Sequence, residues 1–173
     1  MRLAGKTALI TGGASGSGAV IAACFIAEGA RVAIMDNNAS AMQDMASEMG
    51  NDCVGIVGDV TKSSDIERST ERACNFGDTL DNVVNNVGWT HVNKPMLDVT
   101  EDEFDRLYDI NVKAIFHITN AIVPVIRTQG HGNIINIGST AGLRPRPGLT
   151  CYNSTKECGE PVIKIYGCRI GPR

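Results

Sequence analysis

Tyr152 and Lys156 stand four residues apart in "YNSTK", the spacing that brings a phenol and an ammonium onto one helix face. A tyrosine hydroxyl ordinarily titrates near ~10, too high for ready proton exchange at neutral pH. A positive charge one helical turn away favours the phenolate, so the pair suits acid/base work at an oxygen atom. A second cluster lies near the start of the chain, in "TGGASGSG" from Thr11 to Gly18. There Gly12 permits a sharp turn, Gly16 permits close approach of the backbone to a pyrophosphate, and Gly18 permits tight packing of a helix on a strand. Ser15 and Ser17 stand between these glycines.

Both clusters need elements to position them, and the pattern supplies strands and helices in alternation. "KTALITG" reads as a strand, followed by the glycine turn and a helix through Glu28. "ARVAIMD", "DCVGIVGDV", "TLDNVVNN" and "GNIINIGS" read as further strands, with helices between them. Ser64 with Glu67 and Thr100 with Glu103 have the spacing of capping boxes at two helix starts. Alternation of this kind implies a doubly wound α/β fold with a parallel sheet covered on both faces. The glycine turn would then join a strand to a helix N-terminus, whose free N–H groups and dipole favour phosphate. Asp36 ends the second strand, where a carboxylate accepts ribose hydroxyls and repels a 2′-phosphate. No Arg or Lys occupies 13–17 or 37–38 to offset it, so the reading favours NAD over NADP.

The charge balance is 16 basic against 19 acidic residues, a net −3, which offers no footprint for nucleic acid or an anionic membrane. Apolar stretches such as "AVIAACFIA" are too short to span a bilayer, and the N-terminus has no signal-peptide pattern. A cytoplasmic location is expected. The six cysteines form no C-x-x-C pair and read as free thiols; His91, His117 and His131 have no metal-ligand spacing.

The chain resembles the short-chain dehydrogenase/reductase family from about Leu3 to Lys156. The resemblance rests on Thr11–Gly18, on Asp59–Val60, on "NNVG" from Asn85 to Gly88, on Asn111–Val112, and on Ser139 with Tyr152 and Lys156. "GLRPRPGLTCYNSTK" is similar in wording to bacterial 3-oxoacyl carrier-protein reductases and sugar or polyol dehydrogenases. The resemblance implies a Rossmann-type sheet and NAD(H)-dependent interconversion of a secondary alcohol and a carbonyl compound. It implies Tyr152 as acid/base, Lys156 holding the nicotinamide ribose, Ser139 orienting the substrate oxygen, and Asn111 holding a proton-relay water. Gly12, Ser15, Ser17, Gly18, Asp36, Asp59, Val60, Asn86 and Gly88, with Tyr152 and Lys156, would surround the cofactor. Ser17 and Val87 stand where the family usually has an aliphatic residue and Ala. A small alcohol or ketone is the implied substrate, and the family is homo-oligomeric.

After Lys156 the wording departs from the family. Pro161 and the glycines at 159, 167 and 171 oppose a long helix, so the helix is expected to stop near Glu160. The chain thus divides into a cofactor-binding domain over 1–156 and an aberrant tail over 157–173 that is not a separate domain. Reading the codons one base later permits N-A-V-N-L-S-S-K-S-M-A-V-E-L-G-P, similar to the family's helix at this point, so a frameshift is the expected origin of the tail. The sheet would then lack the family's last strands and the association helix would be disrupted. Two other readings follow from such a truncation: a catalytically silent NAD-binding module, or a non-functional fragment.

Overall fold

A computed structural model describes the backbone of residues 1–167 and the side chains of residues 1–158. Its elements in chain order are β1 (Thr7–Thr11), α1 (Gly16–Ala27), β2 (Arg31–Asp36), α2 (Ala39–Met49), β3 (Cys53–Val57) and α3 (Ser63–Gly77). They continue with β4 (Asn82–Asn85), α4 (Glu101–Tyr108), α5 (Ala114–Gln129), β5 (Asn133–Asn136) and α6 (Thr150–Gly167). The five strands form one parallel sheet in the order β3-β2-β1-β4-β5. This is the doubly wound, Rossmann-type arrangement that the strand–helix alternation predicts.

Successive strand residues point to opposite faces, and β1 shows what that does here. Ala8 and Ile10 pack with Val32, Ile34, Ala22 and Met42 on the face covered by α1 and α2. Leu9 packs with Ile66, Ala73, Ile118 and Ile122 on the face covered by α3 and α5. All five residues of β1 are buried, as a central parallel strand with helices on both sides requires. The chain runs from β1 outward to β3, then returns past β1 to β4 and β5. The crevice where that direction reverses, at the carboxyl ends of β1 and β4, is where open α/β sheets bind ligands.

The Thr100–Glu103 capping box is present, with each side chain satisfying the other residue's N–H. The one expected at Ser64 is not. α3 begins at Ser63 with Lys62 at the cap and no side-chain cap bond. Asp65 in its first turn instead reaches back to the preceding loop, accepting the Asp59 N–H at 3.0 Å, and pairs with Arg68 at 2.6 Å.

α4 and α5 are joined by a π-helical turn over Asp109–Lys113, so Glu101–Gln129 is one rod, 29 residues long and apolar enough on length and composition to cross a membrane. Its Leu107, Ala114, Ile118, Ile122 and Ile126 are buried in the protein core, which accounts for the apolar composition.

The expected stop of the last helix near Glu160 is corrected: α6 continues through Pro161 to Gly167. A proline removes one N–H and crowds one carbonyl, which bends a helix without necessarily ending it; α5 likewise carries Pro124 in its interior. The end of the expected tail, 168–173, lies outside the described residues, and Cys168 with it. Cys24, Cys53, Cys74, Cys151 and Cys158 are free thiols.

Candidate functional site

The glycine turn is built from backbone geometry. Gly12 has φ +66° and Gly16 φ +54°, values that other residues rarely adopt. A Cβ at Gly18 would run into the Gly12 carbonyl, so α1 sits directly on the end of β1. At Gly16 there is open space where a Cβ would stand. Ser15 caps α1 without a side-chain hydrogen bond, and no acidic residue lies in the first turn. The first N–H groups of α1 therefore face outward with no anion of the protein's own to cover them.

Around this turn opens a cleft of about 340 Å³. Of the expected cofactor residues, Gly12, Ser15, Ser17, Asp36, Asp59, Val60, Asn86 and Gly88 line it. Gly18 lies beneath it as packing, and Tyr152 and Lys156 stand beyond its lining on α6. Asp36 at the end of β2 accepts the Ala14 N–H at 3.3 Å and the Asn38 N–H at 3.0 Å, which fixes its carboxylate against the glycine turn. Asp59 accepts both the N–H (2.9 Å) and the hydroxyl (2.8 Å) of Thr61.

A polar clamp ties the glycine turn to the end of β4. The Asn86 carboxamide donates to the Thr11 carbonyl at 3.1 Å and the Gly12 carbonyl at 3.2 Å, and accepts from the Ser17 hydroxyl at 2.8 Å. Thr11 Oγ1 in turn accepts from the Asn86 N–H at 3.1 Å. Ser17, the departure from the family's aliphatic residue, is thus wired into the turn.

The reacting end brings three elements together. Asn111 sits in the π-helical turn, where the extra residue rotates the helix surface and redirects a side chain. Its carboxamide accepts the Trp89 N–H at 2.9 Å and donates to the Trp89 carbonyl at 2.8 Å and to Thr155 Oγ1 at 3.1 Å. Both Nδ2 hydrogens are engaged, so the side chain holds the β4 loop to α6. A Cβ built at Gly88 would lie 3.2 Å from Lys156 Nζ and 3.6 Å from Asn111 Oδ1, so the glycine leaves room for the lysine. Lys156 Nζ lies 5.8 Å from the Tyr152 ring centroid, one helical turn along α6. Burial pushes the Lys156 ammonium below its ordinary value of 10.5.

Ser139 lies three residues beyond the end of β5 rather than on the strand. It caps the 3-10 turn Thr140–Gly142, its Oγ accepting the Ala141 N–H at 3.2 Å, which leaves its own hydrogen to donate elsewhere. That turn is pressed against α6, since a Cβ at Gly142 would come within 2.9 Å of the Lys156 carbonyl oxygen.

Several site residues carried no usable sequence signal. Thr155 has no signal of its own because its partner, Asn111, is 44 residues away. Trp89 is held on both backbone groups by Asn111 and its ring lies 4.4 Å from the Arg106 guanidinium carbon, a cation–π contact. Tyr108 reaches α6 through Ser154 at 3.0 Å. Only the Asn111 position itself, singled out by motif, pointed toward this junction.

The family model for short chain dehydrogenases matches residues 6–166. A 4-formylbenzenesulfonate dehydrogenase from Comamonas testosteroni is 44% identical over 159 residues, covering 90% of this chain and 63% of its own length. Two solved structures share the architecture. One is a 3-ketoacyl-(acyl-carrier-protein) reductase from Brucella melitensis complexed with NADH, with TM-score 0.91 and 34% identity, covering 95% of this chain and 69% of that one. The other is an NAD+-bound xylitol dehydrogenase, with TM-score 0.93 and 25% identity, covering 98% and 66%. The chain spans about 63% of the length of the first curated relatives it matches.

Proposed function

The chain belongs to the short-chain dehydrogenase family, and from that premise we propose that it is an NAD(H)-dependent oxidoreductase interconverting an alcohol and a carbonyl compound. The ketoacyl reductase and the xylitol dehydrogenase are named for exchange between C–OH and C=O, and the 4-formylbenzenesulfonate dehydrogenase for oxidation of an aldehyde; hydride transfer at a carbon bearing oxygen is common to all three.

The residues present fit NAD(H). The uncovered N–H groups of α1 suit a pyrophosphate, and the acidic end of β2 suits free ribose hydroxyls over a 2′-phosphate. Bound there, NAD(H) would accept or supply the hydride. Everything else falls to the protein. In the oxidising direction the substrate hydroxyl gives its proton to Tyr152 Oη; in the reducing direction Tyr152 returns one to the carbonyl oxygen. The Lys156 ammonium stabilises the phenolate between these events. Ser139, with its hydrogen uncommitted, donates to the substrate oxygen and fixes its position. Asn111 holds the loop carrying Gly88 against α6, so Lys156 and the cofactor cleft keep a fixed separation.

The observation that carries this reading is the convergence of Lys156, Asn111 and Gly88 at the end of the cleft, with Tyr152 one turn away. The test is NADH binding by calorimetry together with turnover on a panel of alcohols, aldehydes and ketones. Turnover that falls by about 10²–10⁴ in Tyr152→Phe, with NADH affinity retained, supports it. Binding without turnover would make the chain a silent NAD-binding module, and no binding would make it a non-functional fragment.

A further inference from the structure

We propose that Arg146 is a specificity-determining residue that receives an anionic group, a carboxylate or sulfonate, on the substrate of this site; the inference rests on the oxidoreductase reading above.

Arg146 is fixed between the neighbours of both reacting side chains. Its guanidinium donates to Thr140 Oγ1 at 3.3 Å, and Thr140 follows Ser139 directly. Its carbonyl accepts from Asn153 Nδ2 at 3.0 Å, and Asn153 follows Tyr152 directly. The Leu149 N–H also donates to that carbonyl, at 3.2 Å. Adjacent Cα atoms lie about 3.8 Å apart, so the guanidinium, held at Thr140, stands within roughly 12 Å of the Ser139 hydroxyl, the span of a small aromatic molecule with its contacts. One N–H is engaged at Thr140, and a guanidinium has five in a planar fork that matches a carboxylate or sulfonate.

Comparison with the other cations near this end singles it out. Lys94, joined to the same loop through the Gly148 carbonyl, is neutralised by Glu103 at 2.6 Å. Lys156 is drawn in beside Tyr152. Arg106 lies over Trp89. Among the described residues neither Arg144 nor Arg146 forms an ion pair with a carboxylate. Among the described residues these two charges, two residues apart, have no carboxylate partner, and Arg146 is the one whose guanidinium is held by a side chain, at Thr140. An anion on the substrate supplies the missing partner while its carbonyl reaches Ser139 and Tyr152.

The test compares matched pairs of aldehydes and ketones, for example 4-formylbenzoate and its methyl ester, in the wild-type chain and in Arg146→Gln, Arg146→Lys and Arg144→Gln. The expected result is a kcat/KM at least tenfold higher for the anionic member. Arg146→Gln lowers that ratio about tenfold through KM, Arg146→Lys retains most of it, and Arg144→Gln changes it less than threefold. The ratio also falls as ionic strength rises. Because each variant's activity on the neutral member is its own reference, a general loss of fold moves both members and leaves the ratio alone. A wild-type ratio near one, or a ratio unchanged in Arg146→Gln, overturns the proposal while the oxidoreductase reading stands. If NADH binds without turnover, calorimetric titration of the same pairs into the NADH-loaded protein decides by the same ratio. Absence of NADH binding overturns the oxidoreductase reading and this inference with it.

Discussion

The cleft beside the glycine turn and the reacting end on α6 are held in different ways. The first is made of backbone: positive φ at Gly12 and Gly16, contact between Gly18 and Gly12, and a carboxamide clamp from Asn86. It stands on β1, which is buried along its whole length. The second is made of side chains from three separate elements, joined through one amide, Asn111. It stands beside β5, the last strand in the sheet order, where Ile135 is 41% exposed. Geometry fixed by the backbone tolerates side-chain change poorly at a few glycines and well elsewhere. Geometry fixed by a junction fails at the junction.

The comparison breaks most directly at Gly18. Gly18→Val places a side chain where the Gly12 carbonyl stands, and NADH affinity is expected to fall more than a hundredfold; calorimetry that finds affinity within threefold would refute a backbone-built turn. At the junction, Thr155→Val removes the acceptor of one Asn111 N–H while keeping shape. We expect turnover to fall about tenfold, an order of magnitude set by one lost buried hydrogen bond, with NADH affinity unchanged. Loss of both in equal measure would mean that the two regions are not independent.

A third prediction concerns the far side of the sheet. Asp81 is buried there and accepts from Lys6 at 2.7 Å, the Thr7 N–H at 3.0 Å and Thr79 at 2.9 Å. Burial pushes its carboxyl up, but the Lys6 ammonium, the Thr7 N–H and the Thr79 hydroxyl outweigh this and hold it below its ordinary 3.8. A carboxyl so depressed contributes stability that is complete above its unfolded value and is lost as pH falls below about 3.8. Asp81→Asn is expected to destabilise the chain by ~2 kcal/mol at pH 7 and to flatten its acid denaturation, measured by urea titration at several pH values. The smallest effect is expected at Ser17. Ser17→Ala removes one hydrogen bond to Asn86, and NADH affinity should weaken about threefold; a larger change would make the hydroxyl a direct cofactor contact.

The sheet was legible because its signal is local. Strand–helix alternation, the glycine turn and Asp36 each lie within a few consecutive residues, and the Thr100–Glu103 box is read from four. The Ser64 box failed for a local reason too: α3 starts at Ser63 with Lys62 at the cap, which places Ser64 inside the first turn rather than before it. The helix after Lys156 runs further than its composition predicts, because one proline costs a helix one N–H and can bend it without ending it. At the site, the residue types of Ser139, Tyr152 and Lys156 were visible, but the π-helical turn was not, since nothing in "DINVK" departs from an ordinary helix pattern. The Trp89–Asn111–Thr155 junction depends on contacts across 22 and 44 residues, which no window along the chain contains.

Trp89 gives the molecule one further property. It is the single tryptophan of the chain, stacked under Arg106 and clamped by Asn111 next to Gly88 at the cleft. The intrinsic indole emission of this protein therefore comes from one place, the junction between the cofactor cleft and the reacting end. A shift in its wavelength or quantum yield reports on that junction, with no label attached.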